Sequence, residues 1–317
     1  MLVQWGWFAL GAVLLVLGGD SLVKGAAGLA LATRMKPFLV GFLVLGFGTA
    51  LPELAVNLEA MRTGHPGLAL GNVVGSNIAN IGLVLGCAAL FAPFATRLRS
   101  SGVLLPLIVI GAVALGVLGF DGALSRIDGA LLLLLFVIGL ALVLRRAGSE
   151  PAPVQAAFIA ASASRPGVGL AAMRVLLGAA IVGGGVYLAV GAAVQLAQAW
   201  GWSDLLVGLT LVAIGTLLPE LFTAVLAARR GQGDLAVGNA LGSSFANLGL
   251  VLGVSALWSP IPVPRQLLQV ELPALALFAV ALYPMIRGDA HLSRREGGIL
   301  LGAYVAFLAW QAVLASS

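Results

Sequence analysis

Apolar runs of about 20 residues recur along almost the whole chain, and each is long enough to cross a bilayer as one α-helix. Charged residues make up only 9% of the 317 residues. An ordinary soluble domain carries roughly a quarter. The sequence therefore predicts an all-α polytopic membrane protein, with the lipid bilayer as its surrounding partner.

We predict ten spans from the positions of these runs. Their limits are 4–32, 38–61, 68–92, 102–120, 127–145, 169–199, 204–228, 235–258, 267–286 and 297–315. Residues 148–168 are rich in Ala, Ser and Pro and form the one sizeable linker. The predicted organisation is a first transmembrane half at 1–147, this linker, and a second half at 169–317.

The basic residues divide unequally between the two sides that ten spans create. The loops after the odd-numbered spans hold thirteen of them: Arg34, Lys36, Arg97, Arg99, Arg145, Arg146, Arg165, Arg174, Arg229, Arg230, Arg287, Arg294 and Arg295. The other side holds Arg62, Arg126 and Arg265. The positive-inside rule assigns the first side, with the linker, to the cytoplasm of a cell (inner) membrane protein, so both termini are predicted outside. Topology explains the pI near 10.1, and no nucleic acid partner is expected.

An internal repeat covers the polar segments of the chain. GTALPEL at 48–54 returns as GTLLPEL at 215–221, and GNVVGSNIANIGLVLG at 71–86 returns as GNALGSSFANLGLVLG at 238–253, both at an offset of 167 residues. Each half contains five predicted spans, which is an odd number. The second half must then enter the membrane from the opposite side, and we predict two inverted five-helix repeats with a site between them.

The repeated residues are polar, although they lie in apolar runs. An ionisable residue inside the membrane is expensive and usually functional, which singles out Glu53 and Glu220. Residues spaced by four share a helix face. By this spacing the candidate site residues are Thr49, Glu53, Asn72, Ser76 and Asn80, with Thr216, Glu220, Asn239, Ser243 and Asn247.

Prolines adjoin both glutamates, and we expect Pro52 and Pro219 to free the backbone carbonyls of Gly48 and Gly215 for a cation. Carboxylate, amide, hydroxyl and carbonyl oxygens are hard ligands that suit Ca²⁺ or Na⁺ rather than a soft transition metal. With a single cysteine and two loop histidines, a His/Cys metal centre is not expected, nor is a cofactor.

The other acidic residues near the spans have local explanations. Asp20 is expected to pair with Lys24 at i, i+4, and Glu59 to be solvated near the outer surface. Asp204, Asp234 and Glu271 are expected at helix starts, where a carboxylate favours the helix dipole.

The paired motifs GTALPEL…GNVVGSNIAN and GTLLPEL…GNALGSSFAN resemble the two α-repeats of the cation/Ca²⁺ antiporter superfamily, specifically prokaryotic sodium/calcium exchangers. The resemblance covers essentially the whole chain. It implies antiport of Ca²⁺ against Na⁺ by alternating access, with Ca²⁺ held by Glu53, Glu220 and the Thr hydroxyls. It further implies that the repeated Ser and Asn residues complete the Ca²⁺ and Na⁺ sites, and that the first and sixth spans slide against the rest.

Two departures from the family pattern bear on the coupling ion. Ala50 and Leu217 stand where the family usually has serines that help to hold Na⁺. Some members also have a carboxylate where Asn247 stands. Proton-coupled exchange of Ca²⁺ is therefore the nearest alternative to sodium coupling.

Two further functions are weighed against exchange. A channel fits the inverted repeats less well than alternating access does. An intramembrane hydrolase with paired carboxylates would be an enzyme, but no Ser/His or metal-His set accompanies the carboxylates, and it leaves the duplication unexplained. The protein is therefore predicted not to be an enzyme.

Overall fold

The computed structural model describes residues 1–32, 43, 47–147, 149–161, 167–287 and 291–316. These residues are almost entirely helical, joined by short loops. The helices are α1 (Leu2–Ala32), α2 (Ala50–Arg62), α3 (Pro66–Phe91), α4 (Ser101–Leu118), α5 (Arg126–Ala147), α6 (Ala152–Ala161), α7 (Val168–Trp200), α8 (Asp204–Thr216), α9 (Leu218–Arg229), α10 (Gly233–Trp258), α11 (Leu267–Glu271 continued by Leu272–Arg287) and α12 (Arg294–Ser316).

The prediction of an all-α polytopic membrane protein is confirmed. Among the described residues, eight helices are long and apolar enough to cross a membrane, and a ninth span results if the bent pair α8 and α9 is counted as one. The second predicted span, 38–61, is described from Phe47 onward together with Leu43. Its remaining part lies outside the described residues.

The seventh predicted span differs from expectation because it is broken. α8 and α9 meet at Leu217 with a bend of 48°. The cause is local, because Pro219 lacks the amide hydrogen that a continuous helix would need at that position.

The linker contains a helix that we did not predict, α6. Its Phe158 is fully buried, and the ring lies 2.8 Å from a Cβ built on Gly238 of α10. Contact with α10 gives this Ala-rich segment a buried face, which composition alone did not reveal. Gly148, residues 162–166 with Arg165, and the first loop's Arg34 and Lys36 lie outside the described residues.

Two short antiparallel strand pairs join the N-terminal half (residues 1–147) to the C-terminal half (residues 169–317). β1 (Phe94–Ala95) pairs with β4 (His291–Leu292), and β2 (Ala123–Leu124) pairs with β3 (Ile261–Pro262). When the repeat offset of 167 is added to the residue numbers of β1, the result is β3. The same addition to β2 gives β4 to within one residue. Each pair therefore combines unlike strands of the two halves.

α1 and α7 pack against each other along much of their length through small residues. A Cβ built on Gly11 would lie 2.8 Å from the carbonyl oxygen of Gly185, and one built on Gly18 would lie 3.0 Å from that of Gly178. Only glycine allows two helix backbones to approach this closely.

α3 and α10 form the centre of the molecule, and 83% of the apolar window of each is buried. Both carry the GN…GS…AN motif, and both change to a π-helical turn at its last asparagine, at Asn80–Leu85 and Asn247–Val251. Such turns leave backbone groups out of the regular helical ladder and are frequent at functional sites.

Candidate functional site

The two glutamates lie in the first turns of α2 and α9, each directly after a break in the helix. A proline in a first turn costs little, because amides there have no partner within the helix, and the carboxylates face the positive end of the helix dipole. The expectation of a free carbonyl at Gly48 is wrong, since its oxygen accepts from the amide of Leu51 at 3.2 Å. The chain closes a tight turn at this point.

Glu53 and Glu220 are both fully buried and lie beside each other. The carboxyl group of Glu53 faces Glu220 and the amide of Asn247, whereas that of Glu220 also faces Thr49 and Ser243. Each carboxylate thus meets a residue of the other half. Within the part of the chain that the structure describes, neither forms an ion pair with a basic side chain.

Hydroxyl groups link the two halves around this pair. Thr49 Oγ1 donates to Asn239 Oδ1 at 3.3 Å, and Thr216 Oγ1 lies at the same distance from Asn72 Oδ1. These two links are equivalent positions of the sequence repeat. Thr49 also adjoins Glu220, whereas Thr216 Oγ1 lies 3.2 Å from the carbonyl oxygen of Ala213 in its own helix.

The serines have unequal surroundings. Ser243 Oγ lies 3.4 Å from Glu220 Oε1, whereas Ser76 Oγ lies 3.5 Å from Asn72 Oδ1. Ser243 therefore touches the carboxylate pair, and Ser76 touches the residue that holds Thr216.

Several buried oxygens of the candidate residues have no hydrogen-bond partner among the described residues. They are both carboxylate oxygens of Glu53, Oε2 of Glu220, and the amide oxygens of Asn80 and Asn247, whose amide nitrogens are unpaired as well. Buried polar atoms are nearly always paired, so a cluster of unpaired acceptors is the arrangement expected where a cation binds. Of the ten candidate residues, the contacts above join six around the carboxylates: Thr49, Glu53, Glu220, Asn239, Ser243 and Asn247. Asn72, Ser76 and Thr216 form a second group of three. Asn80 is buried at the start of its π-helical turn without such a contact.

Asn57 and Ser255 extend the group of Asn72, Ser76 and Thr216, although neither was predicted to lie in the site. Asn72 Nδ2 donates to Asn57 Oδ1 at 2.8 Å, and Asn57 Nδ2 donates to the carbonyl of Ala69 at 3.1 Å and lies 3.5 Å from Ser255 Oγ. One sequence signal could have found Asn57. It lies within the repeated helices, but the equivalent position of the other half holds the apolar Ala224. Asn239 Nδ2 is correspondingly unpaired.

The two positions that depart from the family pattern supply no oxygen. Ala50 and Leu217 are each 1% exposed, and their side chains are hydrocarbon. The site therefore has two hydroxyl groups fewer than the resemblance would imply.

The remaining acidic residues mostly follow expectation. Asp20 pairs with Lys24 at 2.7 Å on an exposed surface, and Asp204 and Asp234 lie in first helical turns. Glu59 is bound by Arg62 at 2.7 Å rather than simply solvated. The expectation that Glu271 lies at a helix start was wrong. It is fully buried inside a span and accepts hydrogen bonds from two glutamine side chains, those of Gln266 and Gln311.

The sequence pattern described as sodium/calcium exchanger protein matches residues 3–145 and 170–313. The chain belongs to the sodium/calcium exchanger family. The resemblance drawn from the motifs is thereby confirmed, and the family is one of membrane transporters rather than enzymes.

Similar proteins span nearly the full length of this family member. It is 35% identical to the inner membrane protein YrbG of Escherichia coli, over 98% of this chain and 97% of that protein. It is 32% identical to the sodium/calcium exchanger MaX1 of Methanosarcina acetivorans, over 94% and 95%. The structure resembles that of the sodium-calcium exchanger NCX_Mj soaked with Na⁺ and Sr²⁺, with a TM-score of 0.68 and 32% identity over 97% of this chain and 98% of the other.

A further relative transports a different coupling ion. The chain is 28% identical to the Ca(2+)/H(+) antiporter ChaA of Bacillus subtilis, over 89% of this chain and 85% of that protein. The coupling ion therefore has to be argued from the site itself.

Proposed function

We propose that the protein exchanges Ca²⁺ for Na⁺ across the membrane by alternating access, with Glu53 and Glu220 as the central Ca²⁺ ligands. The observation that carries this proposal is the pair of fully buried carboxylates, one from each half, with three unpaired oxygens. Two adjacent buried negative charges are costly without a countercharge. One Ca²⁺ supplies that countercharge and fits the hard oxygen ligands around it.

Antiport follows from the same electrostatics. The empty site carries two negative charges if both glutamates are ionised, and enclosing them in a low dielectric is unfavourable. Ca²⁺, Na⁺ ions or protons each neutralise the pair. The protein then changes sides only when loaded, which produces exchange instead of leak.

The ligand set of the proposal follows the candidate residues. Thr49 and Ser243 adjoin the carboxylates, and Asn247 faces Glu53. Thr216 is included as the counterpart of Thr49 in the repeat. Asn80 is included as the counterpart of Asn247 in the repeat. Asn72, Asn239 and Ser76 lie behind these ligands and help to position them. The two asparagine oxygens accept hydrogen bonds from threonine or serine hydroxyls.

We also propose the ten-span layout with two inverted repeats. The exchanged strand pairs support it, because a twofold relation between halves turns the β1–β4 pair into the β3–β2 pair. The glycine contacts support it in the same way, since Gly11–Gly185 becomes Gly178–Gly18 at the 167-residue offset. By the distribution of basic residues, the termini face outward from a cell (inner) membrane, and the linker faces the cytoplasm.

Uptake of ⁴⁵Ca²⁺ into proteoliposomes tests this function. We expect an outward Na⁺ gradient to drive uptake, and Glu53→Gln or Glu220→Gln to abolish it, because one ligand charge is lost in each. Glu59→Gln is the matched control on the same helix, since it removes only the pairing with Arg62. Uptake at the wild-type rate by either site variant would remove the carboxylates from the mechanism.

Proton coupling is the second candidate, favoured by Ala50 and Leu217, which supply no hydroxyl group for Na⁺. It predicts that a pH gradient alone drives ⁴⁵Ca²⁺ uptake in the absence of Na⁺. Separate Na⁺ and H⁺ gradients in the same proteoliposomes distinguish the two.

A further inference from the structure

A second polar feature lies away from the ion site, where the start of α4 meets the ends of α5 and α11. A cavity of about 470 Å³ opens there, and we call it the basic pocket. Its lining includes the three arginines Arg97, Arg99 and Arg146. Apolar side chains such as Leu105 and Ile286 form another part of the wall. The pocket therefore combines a cationic region with a hydrocarbon surface.

The arginines of the basic pocket are free to bind an anion. No acidic residue lines the cavity, and no carboxylate of the described residues forms an ion pair with any of the three guanidinium groups. Arg99 Nη1 makes one bond, to the carbonyl of Ser149 at 3.1 Å.

Two carboxylates nearby are engaged by the main chain of the same loop. Asp234 Oδ1 accepts from the amide of Arg97, and Glu150 accepts from the amides of Arg99 and Ser100 at 2.8 and 2.6 Å. These bonds hold the loop in place, and neither carboxylate forms an ion pair with the three guanidinium groups.

The sequence repeat supplies an internal comparison. Adding 167 moves residues 98–105 onto 265–272, and four of the latter line the counterpart cavity of about 660 Å³ between α4 and α11: Arg265, Leu268, Gln269 and Leu272. Its one basic lining residue is Arg265. Pro264 and Gln266 occupy the positions equivalent to Arg97 and Arg99. The cavity is thus a property of the fold, whereas the cluster of arginines belongs to one copy.

We propose that the basic pocket binds an anionic phospholipid of the cytoplasmic leaflet, with the headgroup phosphate at Arg97, Arg99 and Arg146. Guanidinium groups bind phosphate oxygens in pairs, and the apolar wall suits an acyl chain. The side of the membrane agrees with this assignment, because all three arginines lie on the predicted cytoplasmic side, where anionic lipids attract basic residues. The counterpart cavity lies on the predicted outer side and has a single arginine, Arg265.

Native mass spectrometry of the purified full chain tests the proposal, with phosphatidylglycerol and phosphatidylcholine as the two probes. We expect one phosphatidylglycerol to remain bound in preference to phosphatidylcholine. Replacing all three arginines by glutamine (R97Q/R99Q/R146Q) is expected to weaken its binding by about a hundredfold, and R146Q alone by about fivefold. Arg265→Gln, in the counterpart cavity, is the matched control and should leave binding unchanged.

Folding of each variant is checked by its thermal unfolding, and R146Q provides the test if the triple variant is unstable. Equal binding of the two lipids would overturn the proposal, as would wild-type retention of phosphatidylglycerol by a folded R146Q and a folded triple variant. Inorganic phosphate is the third probe. If it binds at the arginines while phosphatidylglycerol shows no preference, the pocket is a site for a soluble anion and the lipid assignment is wrong.

Discussion

Asn57→Ala is the variant that most directly tests how the ion site is held in shape. Asn57 is fully buried and accepts the amide of Asn72 at 2.8 Å, while Asn72 accepts the hydroxyl of Thr216 at 3.3 Å. The substitution leaves Asn72 Nδ2 buried without an acceptor. It also frees the side-chain amide of Asn72 to rotate, so Thr216 loses its partner in the other half and keeps only its bond of 3.2 Å to the carbonyl of Ala213.

The expected magnitude follows from the bonds that are lost. One unsatisfied buried donor costs about 1–3 kcal/mol, and the small cavity left by the side chain adds about 1 kcal/mol. We therefore expect the free energy of unfolding to fall by about 2–4 kcal/mol. A misoriented Thr216 should weaken Ca²⁺ binding by about tenfold, equivalent to about 1.4 kcal/mol.

Two measurements check this prediction, the thermal unfolding of the purified protein and the Ca²⁺ concentration for half-maximal ⁴⁵Ca²⁺ uptake. Ser255→Ala is the matched control, because it removes the contact of 3.5 Å to Asn57 and a bond of 2.7 Å to the carbonyl of Val251 in its own helix, but leaves the Asn57–Asn72 bond in place. It should change the Ca²⁺ affinity little. Normal Ca²⁺ affinity in Asn57→Ala, together with reduced stability, would refute the argument that Asn57 positions the site through Asn72.

Three further changes have defined outcomes. Gly18→Ala brings a methyl group to 2.8 Å from the amide nitrogen of Val182, so we expect slower transport with Ca²⁺ binding retained. The test compares flux with equilibrium binding, and unchanged flux would argue against sliding of α1 along α7. Ala50→Ser with Leu217→Ser adds two hydroxyl groups and should raise Na⁺-driven uptake relative to H⁺-driven uptake in the same vesicles; a constant ratio would show that these positions do not set the coupling ion. Tyr304→Phe removes a buried hydroxyl without a partner and should raise the free energy of unfolding by about 1–2 kcal/mol; a lower melting temperature would mean that the hydroxyl is bound.

Much of the fold could be predicted from the sequence because it depends on local properties. The length of an apolar run decides whether a helix can cross the bilayer. The predicted limits lie within a few residues of the helices described, except at the second span, whose first part lies outside the described residues, and at the seventh, which is broken. The candidate residues also came from the sequence, since an acid such as Glu53 in hydrocarbon is conspicuous at any position. The prediction was wrong where contact with another helix decides the local structure. This is the case at α6, whose buried face packs against Gly238 of α10.

Only the tertiary structure decided which residues meet. The repeat marks Thr49 and Asn239 as members of two different repeated motifs, but their contact joins residues 190 positions apart and depends on how the halves pack. For the same reason Asn72 became a support for Thr216, and Glu271 became a buried acid held by two glutamines. Helical spans are set by the chain's own hydropathy. Hydrogen-bond partners across a membrane protein are set by packing between helices, which no single segment encodes.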